Sequence, residues 1–513
     1  MTGNLFALLR SRFPPDLTSP FLILRSGRTL SYGDIDTLSA QMANVLNASG
    51  AQPGDRVAVQ VEKSPEAVAL YLACMRGGFV YLPLNSAYRV EELEYFLSDA
   101  EPTIAIGDPG SEVLASATAK QNVPRYLTLG TAGDGTLMER ASHIPIQHAI
   151  VDRTASDLAA ILYSSGTTGK PKGVMLSHGN LVSNALTLHQ LWQFEPNDVL
   201  LHALPIFHTH GLFVALNTTL LNGTSILFHT KFSADDVIDD IPRATVMMGV
   251  PTFYVRLLTN PGFGRDTCKN MRLFISGSAP LLSETFSEFE SRTGHSILER
   301  YGMTEAGMIT SALPRKSRRA NTVGWPLPDV SLRIVTEAGE PTADGLTGEI
   351  QIKGPNVFHG YWRKPDKTAE DFTSDGYFKT GDLAHTEPDG MISIVGRAKD
   401  MMISGGFNVY PKEIESLIDA LPGIDESAVI GMPHADFGEA GLAVVTLKSD
   451  TREFDTARAV AHLKGKLANY KVPKLMIVAE TLPRNSMGKV QKKILRETYR
   501  AAWDKHLACQ VQT

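Results

Sequence analysis

Tyr163-Ser164-Ser165-Gly166-Thr167-Thr168-Gly169-Lys170-Pro171-Lys172-Gly173-Val174 decides how this chain is read. An apolar, strand-like run, Leu158 to Leu162, leads into it. After it, Leu181, Ala185, Leu188 and Trp192 recur on one face of a helix-like pattern. Between them lie three glycines, four Ser/Thr hydroxyls and two lysines. Glycine lets a backbone turn tightly enough to aim its N–H groups inward, and hydroxyls and ammonium groups add donors and positive charge. Such a composition suits phosphate. It is not a Walker A loop: aligned on Gly169-Lys170, Ser164 stands where the first glycine belongs and Pro171 where the Mg-binding hydroxyl belongs. A flexible Gly/Ser/Thr linker is the competing reading, and the two lysines flanking a proline directly after a buried strand speak against it.

The 513 residues exceed one ordinary domain, so several subdomains around substantial cores are expected. A net charge of −6 argues against general nucleic-acid or anionic-membrane binding. The one basic run, Pro314-Arg315-Lys316-Ser317-Arg318-Arg319, reads as a solvated loop. Cys74, Cys268 and Cys509 are widely spaced, which excludes a disulfide framework and fits a reducing compartment. Met1 to Phe13 is a short amphipathic stretch without a secretory apolar region, and no apolar run is long enough to cross a bilayer. A cytoplasmic protein is expected.

Up to about residue 395, short apolar strands alternate with amphipathic helices: a strand over 56–61, a helix over 65–76, a strand over 244–250 with Pro251 opening a helix, a strand over 272–276, and a helix from Ser283 stopped by Gly294. Such alternation implies parallel sheets covered on both faces, hence an α/β fold. A boundary falls at Lys399-Asp400, giving a large domain over 1–399 and a small α+β domain over 400–513. In the latter, helices begin at Pro411, Asp455 and near Val490, and strands occupy 427–431, 442–447 and the stretch from Leu475.

The phosphate-type loop resembles the signature of the adenylate-forming superfamily: acyl-CoA synthetases, luciferases and the adenylation domains of peptide synthetases. Further motifs in that family's order extend the resemblance from about residue 25 to 497. They are Tyr301-Gly302-Met303-Thr304-Glu305, Tyr377-Phe378-Lys379-Thr380-Gly381-Asp382, Gly396-Arg397-Ala398-Lys399-Asp400, Gly405-Gly406-Phe407-Asn408-Val409-Tyr410-Pro411 and Pro483-Arg484-Asn485-Ser486-Met487-Gly488-Lys489. The resemblance implies a large domain with a mobile small one. It also implies a two-step reaction: a carboxylate attacks the α-phosphorus of ATP, and a thiol, that of CoA, displaces AMP from the acyl-adenylate. Both steps gather negative charge on oxygen, so donors and cations should converge there.

On that resemblance, Ser164, Ser165, Gly166, Thr167, Thr168, Gly169, Lys170, Pro171 and Lys172 hold the β- and γ-phosphates, and Glu305 holds Mg²⁺, a hard cation suited to carboxylate oxygen. Alone, Glu305 would read as an ordinary helix N-terminal glutamate. Thr304 donates to the α-phosphate, and Tyr301 stacks on adenine opposite a wall of Ser278, Ala279 and Pro280. Glu299 and Gly302 complete the nucleotide side. Asp382 takes the ribose hydroxyls with Arg397 beside it, and Asp400 is the hinge. Lys489 bridges the attacking carboxylate and the α-phosphate. Gly405, Gly406 and Phe407 line the channel for the pantetheine arm in the second step, where a side chain at the glycines would obstruct it.

For the acid, Met248-Gly249-Val250-Pro251-Thr252-Phe253-Tyr254-Val255-Arg256 opens a helix that lines the acyl pocket of the family. Arg256 would meet a second carboxylate with its planar fork; spacing alone leaves it a solvated surface arginine. Together with Ala203-Leu204-Pro205-Ile206-Phe207-His208-Thr209-His210-Gly211 and Ile275-Ser276-Gly277-Ser278-Ala279-Pro280-Leu281, the segment closely resembles malonyl-CoA synthetases. The acid side would then be Arg256, His208, Gly277, Ser278 and Met303. His208-x-His210 has no third ligand nearby for a metal pair, and His208 is read as closing the acyl pocket. The expected activity is ATP- and CoA-dependent ligation of malonate, with methylmalonate as a second acid. The alternatives are ligation of another short or aromatic acid, an adenylation module that loads a carrier protein, and a nucleotide-binding sensor without catalysis. The intact Lys489 and Glu305 oppose the last.

Overall fold

The computed structural model describes residues 3–164, 171–316, 318–404, 407–434, 437–449, 451, 453–485 and 488–510. Among them four sheets form. The first runs, in spatial order, Arg125–Thr128, Ile104–Gly107, Arg56–Gln60, Val80–Pro83, Leu158–Ser164 and Lys172–Ser177, parallel except for its last pair. The second has nine strands. Its middle (Leu298–Met303, Leu273–Ser276, Val246–Gly249, Val199–His202, Ser225–Phe228, Pro20–Leu24) is parallel, and antiparallel strands close both edges. Helix Pro65–Gly77 is buried along its whole length and joins the two layers. Its Tyr71 packs on the rings of Tyr81 in the first sheet and Phe213 in the segment against the second. A helix apolar on every side is stable only where every side is covered. Ser64 caps its start ahead of Pro65, and Gly78, at φ +69°, ends it.

Two expectations need correction. The phosphate-type loop does not lead directly into a helix. Ser164 pairs with Lys172 across antiparallel strands, so residues 165–171 connect a hairpin whose second strand is Lys172–Ser177. The helix follows at His178–Leu191, where the Ser177 and Asn180 side chains form a reciprocal cap. The alternation of strand and helix also breaks off earlier than residue 395. Strands Ser331–Val335, Gly348–Lys353, Phe378–Thr386 and Ile392–Arg397 form an all-antiparallel sheet. Gly339 and Gly345 turn the first connection and Gly390 the last, all at positive φ, while the middle one is longer and carries helix Pro365–Asp371.

Beyond Asp400 a separate sheet, Phe407–Val409, Met402–Ser404, Gly438–Leu447 and Ile424–His434, carries Leu475–Val478 along its third strand. Helices Pro411–Asp419 and Thr456–Lys464 cover one face, and Lys492–Thr498 with Arg500–Gln510 the other. No helix among the described residues is long and apolar enough to cross a membrane.

Candidate active site

Strand Leu298–Met303 organises the cleft, because successive side chains on a strand point to opposite faces. On one face, Tyr301 donates its hydroxyl to Asp382 Oδ2 at 2.5 Å, and Arg397 Nε meets Asp382 Oδ1 at 2.8 Å. Asp382 and Arg397 are themselves cross-strand partners in the antiparallel sheet, which is what brings residues fifteen apart into contact. The Asp382 charge holds the Arg397 guanidinium above its ordinary pKa. Each Asp382 oxygen keeps a second lone pair for another donor. Glu299 shares this face. It is buried beside the Leu281 N–H, burial pushes its pKa up to about 8, and its Oε1 has no partner among the described residues. Ser278, in the wall with Ala279 and Pro280, holds φ +75°, a left-handed conformation that costs a non-glycine residue energy.

On the other face lies Arg300, which the motif-based reading passed over. It is 3 % exposed, and its Nε and Nη2 have no hydrogen-bond partner among the described residues. Burial brings its pKa down to about 9. Gly277 leaves room for the guanidinium: a Cβ there would sit 2.4 Å from Arg300 Cζ. His210 is also close, with Nδ1 3.4 Å from Ser278 Oγ and Nε2 unpartnered. Burial, then the Arg300 charge, pushes its pKa well below the usual histidine value. Ser276 Oγ and Thr209 Oγ1 are buried and unpartnered as well. Buried polar groups in folded proteins are nearly always paired, so the neighbouring orphans on Arg300 and His210 mark where a ligand belongs. Thr209, His210 and Ser276 lie inside segments quoted for the acid side without having been assigned a role there, whereas no quoted motif contains Arg300, which only its burial reveals.

The turn after the strand carries Thr304 and Glu305. Glu305 is buried and its pKa is raised by desolvation, against the opposing charges of Lys172, Arg397 and Lys489. Lys172 reaches Asp371 at 3.3 Å and lies 4.0 Å from the Tyr361 ring centroid. Pro171 accepts a hydrogen bond from the Tyr95 hydroxyl at 2.7 Å. Ser165, Gly166, Thr167, Thr168, Gly169 and Lys170 lie outside the described residues, as do Gly405 and Gly406. Met303 and Gly302 end the strand at this turn.

From the small domain, Lys489 enters the cleft. Its side chain is solvent-accessible, yet the surrounding walls desolvate it; that, with the Arg397 charge, lowers its pKa against the pull of Asp382 and Glu305. His208 stands near enough to feel the Lys489 charge, and burial takes its pKa down to about 4. Gly488 approaches Thr252 on helix Pro251–Leu258, where an added Cβ would be 3.7 Å away. Arg256 is four residues beyond Thr252, on the same helix face, and is exposed. Lys448 and Glu284 pair across the two domains at 2.6 Å, and Asp400 meets Arg496 at 3.4 Å. Phe407 is exposed and stacks on Tyr470 at 4.6 Å. The structure therefore gathers Lys489, Glu305, Asp382, Arg397, Tyr301, His208 and Lys172 at one cleft, and leaves Phe407 at the small domain's surface. A groove of about 1140 Å³ lies elsewhere, behind helix His178–Leu191, and none of the expected site residues line it.

Comparison with known proteins identifies the family of the chain. Residues 12–362 match the family model for AMP-binding enzymes, and residues 413–489 match the model for the C-terminal domain of those enzymes. The chain is 33% identical over 494 residues to a feruloyl-CoA synthase of Amycolatopsis sp, covering 96% of this chain and 97% of that one. It is 32% identical over 546 residues to a malonate–CoA ligase of Arabidopsis thaliana, covering 97% and 89%. ATP-bound MatB from Rhodopseudomonas palustris is 52% identical over 97% of this chain and 99% of its own, with a TM-score of 0.94; the apo form of the same protein scores 0.84. The cleft just described thus sits in a chain that, over nearly its whole length, belongs to the AMP-binding, adenylate-forming enzymes and falls among their acid–CoA ligases.

Proposed function

We propose that this CoA ligase activates malonate, with methylmalonate as a second acid, through a malonyl-adenylate, releasing pyrophosphate and then AMP. The observation that carries the reading is the buried Arg300 guanidinium, whose Nε and Nη2 have no partner among the described residues and which lies beside His210 on the strand face away from Tyr301 and Glu299. Feruloyl or fatty acyl groups would leave that charge uncompensated at a cost of several kcal/mol. A second carboxylate would complete it, with His210 Nε2 and Ser276 Oγ supplying further hydrogen bonds. Arg256, on the exposed helix face towards the Lys489 loop, would add positive potential at the cleft mouth. The similarity to ATP-bound MatB and to malonate–CoA ligases supports the same reading.

In the first step the reacting carboxylate of malonate would lie between Lys489 and the α-phosphate, its approach favoured by the ammonium. Thr304 would donate to the α-phosphate as charge builds on it. Tyr301 would stack on adenine, and the unpartnered Oε1 of Glu299 would accept from its amino group. The ribose hydroxyls would take the free lone pairs of Asp382, and residues 164–172 would hold the leaving pyrophosphate. Glu305 fits Mg²⁺: it is a buried carboxylate among cations, and the described residues hold no group of three His, Cys, Asp or Glu that would cage a metal without help from a substrate. Such a site suits an ion held by one carboxylate, phosphate oxygens and water. When bound, the ion would neutralise phosphate charge. In the second step the small domain would turn about Asp400 and replace Lys489 with the 405–407 segment, opening a path for the CoA thiol to attack the acyl carbonyl and expel AMP.

The test is a panel of short mono- and dicarboxylates plus ferulate, each with Mg²⁺-ATP and CoA, read as AMP and pyrophosphate. Malonate should be turned over with the highest kcat/KM. Higher kcat/KM for ferulate or butyrate would refute the substrate, and ADP with orthophosphate as the primary products would refute the mechanism.

A further inference from the structure

Lys63 sits in the loop that leaves strand Arg56–Gln60 and is 5 % exposed, with no carboxylate in contact. Its Nζ lies 2.8 Å from His202 Nδ1, 2.9 Å from the His202 carbonyl oxygen and 4.5 Å from the Phe228 ring centroid. Those are three acceptors for an amine that can donate three times. His202, 1 % exposed, ends strand Val199–His202 in the other large sheet, and its Nε2 lies 2.9 Å from the Gly211 carbonyl. With Nδ1 accepting from lysine, the network requires Nε2–H to donate to Gly211.

Gly211 belongs to the π-helical turn His210–Leu216, a rare local form concentrated at functional sites. A Cβ on it would stand 2.1 Å from the Pro205 carbonyl oxygen. The turn is therefore clamped on one side by Pro205 and on the other by His202. Immediately before Gly211 stands His210, the ring that meets Ser278 and shares the acid pocket with Arg300. A methionine at position 63 would fill the space without burying an amine, but it could not donate to Nδ1.

We propose that Lys63 and His202 are a buried positioning pair: by fixing the His202 tautomer, Lys63 fixes the Gly211 carbonyl and so the place of the His210 ring in the acid pocket. Neither side chain would touch substrate. The inference rests on the acid pocket lying where the proposed function puts it, and it holds for whichever acid the enzyme activates best.

The test measures acid-dependent ATP–pyrophosphate exchange in Lys63→Met, His202→Phe and His202→Gln, with whichever acid of the panel the unaltered enzyme prefers, so a wrong substrate and a wrong pairing fail separately. Losing a buried hydrogen bond of this kind should raise KM for the acid about 10- to 100-fold in the first two variants, with KM for ATP within about twofold. His202→Gln, which can accept at Oε1 and donate at Nε2, should stay within about fivefold of wild type. In protein labelled with ¹⁵N-histidine, a buried Nε2–H ring should show its Nδ1 resonance shift in Lys63→Met, as the hydrogen bond from lysine is lost. Equal changes in both KM values, lower melting temperature with unchanged KM for the acid, or an unaltered histidine spectrum in Lys63→Met would each overturn the pairing. Should Lys63→Met fail to fold, His202→Phe against His202→Gln decides: equal KM values for the acid refute it.

Discussion

Arg300 and Arg256 differ in what water leaves them. Arg300 is buried, with Nε and Nη2 unpartnered among the described residues, and Arg256 is exposed. Removing one member of a desolvated charge pair costs about 2–5 kcal/mol, against about 0.2–1 kcal/mol for an exposed pair. Arg300→Leu should therefore cut kcat/KM for malonate by roughly 30- to 5,000-fold and Arg256→Leu by no more than about fivefold. KM for ATP should hardly move in either. Arg300→Leu should also raise the melting temperature of the ligand-free enzyme, because an uncompensated buried charge is replaced by an apolar side chain. If Arg256→Leu proves the more damaging of the two, the second carboxylate sits at the cleft mouth and not at Arg300. Gly277→Ala gives a steric version of the same test: its Cβ would displace the guanidinium without removing it, so malonate turnover should fall with the charge still present.

On the proposed two-step reaction, the element that matters most is the loop that carries Lys489 into the cleft. It is held where it is by the approach of Gly488, at φ +75°, to Thr252, and by the Lys448–Glu284 pair beyond it. Because the lysine rides on one domain and Glu305, Asp382 and Arg397 on the other, it can serve one step and leave before the next. Lys489→Ala should lower adenylate formation by at least about 100-fold, in the range expected when one charge-stabilising donor is lost. It should leave thioester formation from pre-made malonyl-adenylate within a few-fold of wild type. Equal loss of both half-reactions would show that the lysine stays in the site throughout. The elements themselves were largely legible beforehand: the helix at Pro251, the helix ended by Gly294 and the strand over 273–276 each carry their own cap, stop or apolar run. The four-stranded antiparallel sheet was not. Its strands are held by partners up to 36 residues away, from Gly348 to Ala384, and no short window of sequence contains that pairing.

At the scale of the whole molecule, several histidines are folded in their neutral state. His178 is the clearest: it is wholly buried at the start of its helix, its Nδ1 accepts from the Leu5 N–H at 3.1 Å, and burial with the nearby Arg153 charge takes its pKa from 6.5 to about 4. A histidine whose folded pKa lies below its unfolded one binds more protons when unfolded. Its contribution is then complete above pH 6.5, declines as pH falls, and is gone below about pH 4. For His178 alone that amounts to about 3 kcal/mol. His208, also lowered to about 4, adds in the same direction. Urea midpoints measured from pH 8 to pH 4 should fall through this window, and His178→Gln should flatten the slope. A midpoint independent of pH between 6.5 and 4 would show that these rings are hydrated in the folded protein. The N-terminal helix Leu5–Arg10, docked on His178, should loosen first on acidification and be the first segment to gain hydrogen exchange.

The sequence by itself determined the reaction class, since chemistry that must hold phosphate, ribose and a transferring lysine needs particular residue types in short runs: residues 163–174, 301–305, 377–382 and 483–489. It also determined the caps and stops of most helices, which are local hydrogen-bonding problems. Only the tertiary structure decided which polar groups near the cleft are buried without partners among the described residues. Arg300 immediately precedes the 301–305 motif, between Glu299 and Tyr301, and strand alternation turns it away from both, towards Gly277 and His210. Whether a polar group is buried, and whether anything satisfies it, depends on every chain segment that packs around it, and that information is carried by no residue or spacing alone.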